Sequence, residues 1–228
     1  MPLLALDTSG SVAVAVTDDA GTALARRSDE QPRHHAELLA PMVVAALAEA
    51  GVDRRELTAV VVGTGPAPFT GLRVGLVTAR TLALALGIPA LGVPSLDALA
   101  ARAARGVPAG TRLLVATDAR RREVYWAVYT ATGDGIEAVT PPQVGFADGL
   151  ADEPAAAGAL VVGPGVALYP EAFAHLSAAP GADDPLDPAE LAGLALRRRA
   201  AGADLPTEPL YLRRPDAVPS AGHRRALG

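Results

Sequence analysis

Leu3-Leu4-Ala5-Leu6-Asp7-Thr8-Ser9-Gly10-Ser11-Val12-Ala13-Val14-Ala15-Val16-Thr17 reads as two apolar strands joined by a turn of small residues, and the same pattern returns later in the chain. The second occurrence, Leu113-Leu114-Val115-Ala116-Thr117-Asp118, also ends in an acid and enters a hairpin whose return strand is Val124 to Thr130. After each hairpin a third strand is predicted, over Thr22 to Arg27 in one case and Gly135 to Val139 in the other. Two runs with the same order of apolar strand, acid and hairpin point to a duplicated unit.

The first copy continues with a helix from His35 to Ala50, since Leu38, Leu39, Met42, Val43, Ala46 and Leu47 recur at helical spacing and Gly51 is a stop. Pro41 demands a kink, or a start nearer Ala40 where proline fits the first turn. Thr58 to Gly63 is a strand without alternation, as when both faces are covered, and is followed by a helix over Gly71 to Leu86 and a strand over Ile88 to Val93. Pro94-Ser95 opens a further helix through Ala104, and Gly106-Val107-Pro108-Ala109-Gly110 reads as a linker. Domains are therefore expected at residues 1–105 and 106–228. In the second, only a strand at Leu160 to Val162 and a helix near Ala189 to Ala201 stand out from Pro/Gly/Asp-rich stretches. A duplicated β-β-β-α-β-α unit is the layout of the actin-like ATPase and sugar-kinase superfamily, an α/β fold of two related domains, here with the second reduced.

Composition removes whole classes of chemistry. The 228 residues include no cysteine, which excludes disulfides, thiolate nucleophiles and zinc-cysteine sites and fits a cytoplasmic protein. There is also no lysine, so Schiff-base chemistry and a phosphate-loop lysine are excluded. A net charge of -5 gives no global field for gripping nucleic acid. The N-terminus lacks a basic region of the signal-peptide type, and Leu72 to Leu86, carrying Arg73 and Arg80, falls short of the ~20 residues of a membrane span, so no membrane anchor is expected.

In an actin-like reading, ATP would lie between the domains against the two hairpin turns. Asp7, Thr8 and Ser9 suit the first turn, and Asp7 with Asp118 could form an acid pair for an ATPase or kinase. The second turn, Asp118-Ala119-Arg120-Arg121-Arg122-Glu123, has arginines where a phosphate hairpin wants glycine, so its backbone cradle is expected to be lost and the arginines to be solvated or partner-facing. Gly65-Pro66-Ala67-Pro68-Phe69-Thr70-Gly71-Leu72-Arg73 resembles a phosphate loop only superficially: the glycine spacing is wrong, Leu72-Arg73 stands where Lys-Ser/Thr is needed, and two prolines have no amide to donate. It is read as a rigid corner with Thr70 as helix N-cap. His34 and His35 are adjacent and splay apart in a helix, while His175 and His223 are isolated, so no metal site is predicted. Serine hydrolysis finds no nucleophile elbow, a peptidase reading has no constellation behind it, and Gly163-Pro164-Gly165 reads as a plain turn.

The helix after the corner is apolar nearly all round, with Leu76, Val77, Leu82, Leu84 and Leu86 on several faces, and must be covered nearly all round. Gly71, Gly75 and Ala79 form a small-residue stripe that permits close approach. Either both helices are satisfied within one chain, or a partner interface lies on the two N-terminal helices at Leu38, Leu39, Met42, Leu72, Gly75, Leu76 and Ala79, the reading that an exposed apolar patch would favour. The arginine runs Arg197-Arg198-Arg199 and Arg224-Arg225 are read as solvated faces.

These residues together resemble the bacterial TsaB (YeaZ) family, on Leu6-Asp7-Thr8-Ser9, His35 to Met42, Gly65 to Gly75, Pro94-Ser95-Leu96, Asp118-Ala119-Arg120 with Glu123-Val124-Tyr125, and Pro209-Leu210-Tyr211-Leu212-Arg213. Two departures stand out: Ala67-Pro68 replaces the family's Gly-Ser in the loop, and His35-Ala36-Glu37 replaces His-Ser-Glu. The resemblance implies a non-catalytic subunit, without a cofactor of its own, that pairs with a TsaD-type catalytic subunit through the two N-terminal helices. It further implies cooperation with a TsaE-type ATPase, ATP or ADP at the level of the complex, tRNA met through the complex, and a homodimer when the partner is absent. The product is threonylcarbamoyladenosine beside the anticodon.

Overall fold

The computed structural model describes residues 1–29 and 35–213, with His35 and Ala36 described only as backbone. His34, His223, Arg224 and Arg225 lie outside the described residues. The opening hairpin is β1 (Leu3–Asp7) and β2 (Val12–Thr17), followed by β3 (Ala23–Asp29), α1 (His35–Ala50), β4 (Val60–Gly63), α2 (Phe69–Leu86) and β5 (Ala90–Val93). They form a sheet of order β3-β2-β1-β4-β5, with β1 antiparallel to β2 and parallel to β4. Every residue of β1, β2 and β4 is buried, which is why these strands show no polar alternation. Leu4, Leu6, Val14, Val60 and Val62 pack beneath α1 and α2 on one face, while Leu3, Ala5 and Val61 point to the other.

The second copy repeats these pairings. β6 (Arg112–Arg120) is antiparallel to β7 (Glu123–Ala131) and parallel to β10 (Leu160–Val162), as β1 is to β2 and β4. β7 also pairs β8 (Ile136–Ala138), so β8-β7-β6-β10 repeats β3-β2-β1-β4 and the fold is actin-like with a reduced second lobe. An additional strand, β9 (Gln143–Phe146), pairs β7 antiparallel. It is only four residues long, and it pairs the first half of β7, beyond the stretch that β8 pairs.

Helices α3 (Ser95–Ala104) and α5 (Pro188–Ala200) join the two lobes. Leu96, Leu99 and Ala100 of α3 pack on Leu113, Val115 and Tyr129 of the second sheet. Ala98 and Ala101 on its other side meet Leu191, Ala192 and Ala195 of α5, which in turn covers the first sheet at Leu3, Ala5 and Val61. An apolar helix from late in the chain thus closes the exposed face of the earlier sheet.

Helix α1 spans His35–Ala50 as expected and runs through Pro41, so it does not start at Ala40; proline removes one amide from a ladder whose neighbours continue. Three local expectations change. Helix α2 begins at Phe69 with Pro68 as N-cap and no side-chain capping bond, so Thr70 lies inside the first turn and is not the cap. At 18 residues and mean hydropathy 1.3, α2 is long and apolar enough to cross a membrane by length and composition, yet Leu72, Leu76, Ala79 and Ala83 are buried in the first core. Gly163-Pro164-Gly165 opens the short helix α4 (Pro164–Leu168) and is not a plain turn. A Cβ on Gly163 or Gly165 would stand 2.5 or 2.9 Å from the backbone of Ala116, so the glycines let α4 lie against β6.

Candidate functional site

The ends of β1 and β6 face each other across a cavity of about 650 Å3. Asp7, Thr8, Ser9, Gly10 and Ser11 line one wall with Pro66, Pro68 and Thr70, and Thr117, Asp118, Arg120 and Pro164 line the other. The structure therefore brings together the residues proposed from sequence for a nucleotide cleft: Asp7, Thr8, Ser9 and Asp118.

Their side chains are bound to the scaffold. Asp7 is 2% exposed; its Oδ1 accepts from the Ser9 amide at 2.7 Å and the Ser9 hydroxyl at 2.5 Å, and its Oδ2 accepts from the Ser95 hydroxyl at 2.6 Å. Ser95, absent from the sequence-based candidates, also accepts from the Gly65 amide at 3.2 Å and so ties the Gly/Pro corner to Asp7. Its sequence signals were the Pro94-Ser95-Leu96 motif and its position: a serine opening a helix is ordinarily read as a cap, whereas here Pro94 is the N-cap and makes no side-chain cap bond. A Cβ on Gly63 would lie 1.7 Å from Asp7 Oδ2, which fixes glycine at the end of β4. A carboxylate held by three donors is a structural acceptor, poorly placed to receive a proton from a substrate.

Thr8 works in the same way. Its hydroxyl donates to the Gly71 carbonyl at 2.8 Å and accepts from the Gly75 amide at 3.1 Å, bridging two backbone groups one helical turn apart in α2. A Cβ on Gly75 would stand 2.5 Å from Thr8 Oγ1. The small-residue stripe is thus used for close approach of α2 to the end of β1, inside the chain.

On the opposite wall, Asp118 accepts from the Arg120 amide at 2.7 Å and pairs with the Arg120 guanidinium at 3.1 Å. Arg120, Arg121 and Arg122 have φ of 67°, 57° and 64°, the left-handed conformation expected of glycine. The turn therefore holds three arginines in a backbone conformation that costs roughly 1–2 kcal/mol for each residue. Arg122 pairs with Asp148 at 3.2 Å.

Behind the cavity, Asp97 joins the two lobes. It accepts from the Tyr129 hydroxyl at 2.7 Å and from the Arg198 guanidinium at 2.6 Å. Burial, and then the Asp97 carboxylate, push the Tyr129 phenol well above its ordinary value. Arg198 was read as part of a solvated run; it is instead a cross-link from α5 to α3, because its position on the helix turns it inward toward Asp97.

The proposed interface residues divide. Leu39, Leu72, Gly75, Leu76 and Ala79 are buried in the chain's own core, because their helix faces rest on the first sheet. Leu38 and Met42 are half-buried. The large apolar side chains that α1 and α2 leave in solvent are Val44, Val77 and Leu84, exposed by 68%, 61% and 84%. Helix α2 is thus not covered all round. Among the described residues no group of three His, Cys, Asp or Glu is gathered as a metal cage.

Comparisons with known proteins agree with this geometry. The family model described as TsaD, tRNA N6-adenosine threonylcarbamoyltransferase, matches residues 24–158. An uncharacterized protein of Mycobacterium tuberculosis is 46% identical over 202 residues, covering 87% of this chain and 84% of that protein. The tRNA threonylcarbamoyladenosine biosynthesis protein TsaB of Escherichia coli is 39% identical over 151 residues, covering 63% of this chain and 64% of that one. The solved structure of YeaZ from Pseudomonas aeruginosa superposes with a TM-score of 0.76 at 35% identity, covering 92% of this chain and 99% of that one. Over nearly the whole of its fold, the chain belongs to the TsaB (YeaZ) family.

Proposed function

We propose that this chain is a non-catalytic subunit in the formation of threonylcarbamoyladenosine in tRNA, binding and supporting a TsaD-type catalytic subunit. The observation that carries the reading is the uncovered apolar set Val44, Val77 and Leu84 on two helices whose opposite faces are already packed. Apolar side chains left in water on adjacent helices favour a protein partner. Relatives named for threonylcarbamoyladenosine biosynthesis support the pathway. A TsaE-type ATPase, ATP or ADP in the assembly, tRNA held by the complex, and a homodimer of this chain when the partner is missing complete the proposal, set in the cytoplasm.

The cavity favours a second reading, an ATPase or kinase using Asp7 and Asp118. The bonds that already occupy both carboxylates weigh against it. Two measurements separate the readings. In the first, tRNA from cells lacking the chain is digested and its nucleosides quantified; loss of threonylcarbamoyladenosine, restored by the wild-type gene, supports the subunit role, and unchanged levels refute it. In the second, calorimetric titration with ATP and magnesium gives no heat of binding for the isolated chain, whereas saturable binding supports the ATPase.

A further inference from the structure

The segment from Leu205 to Arg213 has no regular secondary structure, yet it is bonded along its length to both lobes. At its start the Gly92 amide of β5 donates to the Leu205 carbonyl at 2.9 Å, and a Cβ on Gly92 would stand 2.0 Å from the Pro206 carbonyl oxygen. Next, Arg80 of α2 donates from Nε to the Thr207 hydroxyl at 2.8 Å and from its terminal nitrogen to the Thr207 carbonyl at 2.6 Å. The Leu210 amide donates to the Thr64 carbonyl at 2.9 Å. The Tyr211 ring then stacks on Phe69 with centroids 4.1 Å apart and planes 5° from parallel, and its hydroxyl accepts from Arg73 Nε at 2.9 Å.

Two residues later the chain changes lobe. Arg213 donates to the Ala119 carbonyl at 2.6 Å and pairs with Glu123 at 2.7 Å, both on the β6–β7 hairpin. The two anchor points flank the cavity. Thr64 and Phe69 bracket Pro66 and Pro68 on one wall, and Ala119 lies between Asp118 and Arg120 on the other. A further link across the lobes, Asp97 with Tyr129 and Arg198, lies among α3, α5 and β7, with Asp97 and Tyr129 buried.

We propose that residues 205–213 are a latch: a strap beside the cavity that runs from the Gly/Pro corner to the β6–β7 hairpin and fixes the separation of the two lobes, with the Asp97 cluster as the fixed side. The physical basis is the contrast between the two links. The Asp97–Tyr129 bond is buried and is backed by the apolar packing of α3 and α5 between the lobes. On the strap, the Arg213 side chain makes both contacts to the second lobe, so a change at one residue releases it.

The chain has no cysteine, so Thr70→Cys on α2 and Pro164→Cys on α4 give a unique pair of spin-label sites on opposite walls of the cavity. The full-length labelled protein is measured by double electron–electron resonance with and without Tyr211→Ala and Arg213→Ala. A narrow distribution in the parent that broadens and moves to longer distance in the released variant supports the latch. An unchanged distribution in a variant that still unfolds cooperatively overturns it. Should the double variant not fold, Arg213→Gln alone severs the strap from the second lobe at the surface and is read by the same two outcomes.

Discussion

The Thr8 hydroxyl accepts a 3.1 Å hydrogen bond from the Gly75 amide while donating to the carbonyl of Gly71, so one side chain from the end of β1 is set into the backbone ladder of α2. This joint places the wall of the cavity and the exposed face of α2 on one rigid unit.

Gly75→Ala is expected to destabilise the chain by about 1–3 kcal/mol, since the new methyl meets Thr8 Oγ1 at 2.5 Å in a packed region. Thr8→Ala alone should cost about 1 kcal/mol, the worth of a net hydrogen bond. Urea unfolding of the double variant should show less destabilisation than the sum of the singles, because removing the hydroxyl makes room for the methyl. Strict additivity would show that the two residues do not share this contact.

Asp7 is expected to matter for folding. Asp7→Asn replaces an acceptor oxygen with a donor facing Ser9 or Ser95, and should lower stability by roughly 1–3 kcal/mol. Gly63→Ala, with its Cβ 1.7 Å from the same carboxylate, should prevent accumulation of soluble protein. A Tm for Asp7→Asn equal to wild type would instead mark a carboxylate free for chemistry.

Alkaline pH should weaken the fold through Tyr129. Its phenol is pushed well above the ordinary value in the folded state, so the folded chain holds the proton after the unfolded chain has released it. Stability is therefore full below the unfolded value near pH 10 and falls above it, by about 1.4 kcal/mol per pH unit. Denaturant titrations from pH 8 to 11 should show this slope in wild type and a flatter one in Tyr129→Phe.

Leu84→Asp lies where the side chain is 84% exposed, so its own stability should change by no more than about 0.5 kcal/mol. Co-purification with a TsaD-type subunit should nevertheless be lost. Retention of the complex by Leu84→Asp and by Val77→Asp together would move the docking face away from α2.

Much of this architecture was legible in the chain itself. Apolar strands ending in Asp7 and Asp118, the return strands after each, and the corner from Gly65 to Gly71 announced a duplicated unit because strand and turn preferences act over a few residues. Strand β9 escaped notice because it is only four residues long and its partner, the first half of β7, lies elsewhere in the sequence. The absence of lysine and cysteine likewise removed chemistry without any coordinates.

What sequence periodicity could not give was the direction in which each apolar helix faces. Leu72, Gly75, Leu76 and Ala79 have the composition of an interface, and they do form one, with β1 and β4 of their own chain; Val44, Val77 and Leu84 are left outside. Ser95 as the partner of Asp7, Arg198 as the partner of Asp97, and the course of residues 205–213 along α2 and the corner depend on contacts between residues 88, 101 and up to 138 positions apart. Local preferences choose helix, strand and turn; which face is buried and which carboxylate is already satisfied are decided only when distant segments compete for the same space and the same hydrogen-bond donors.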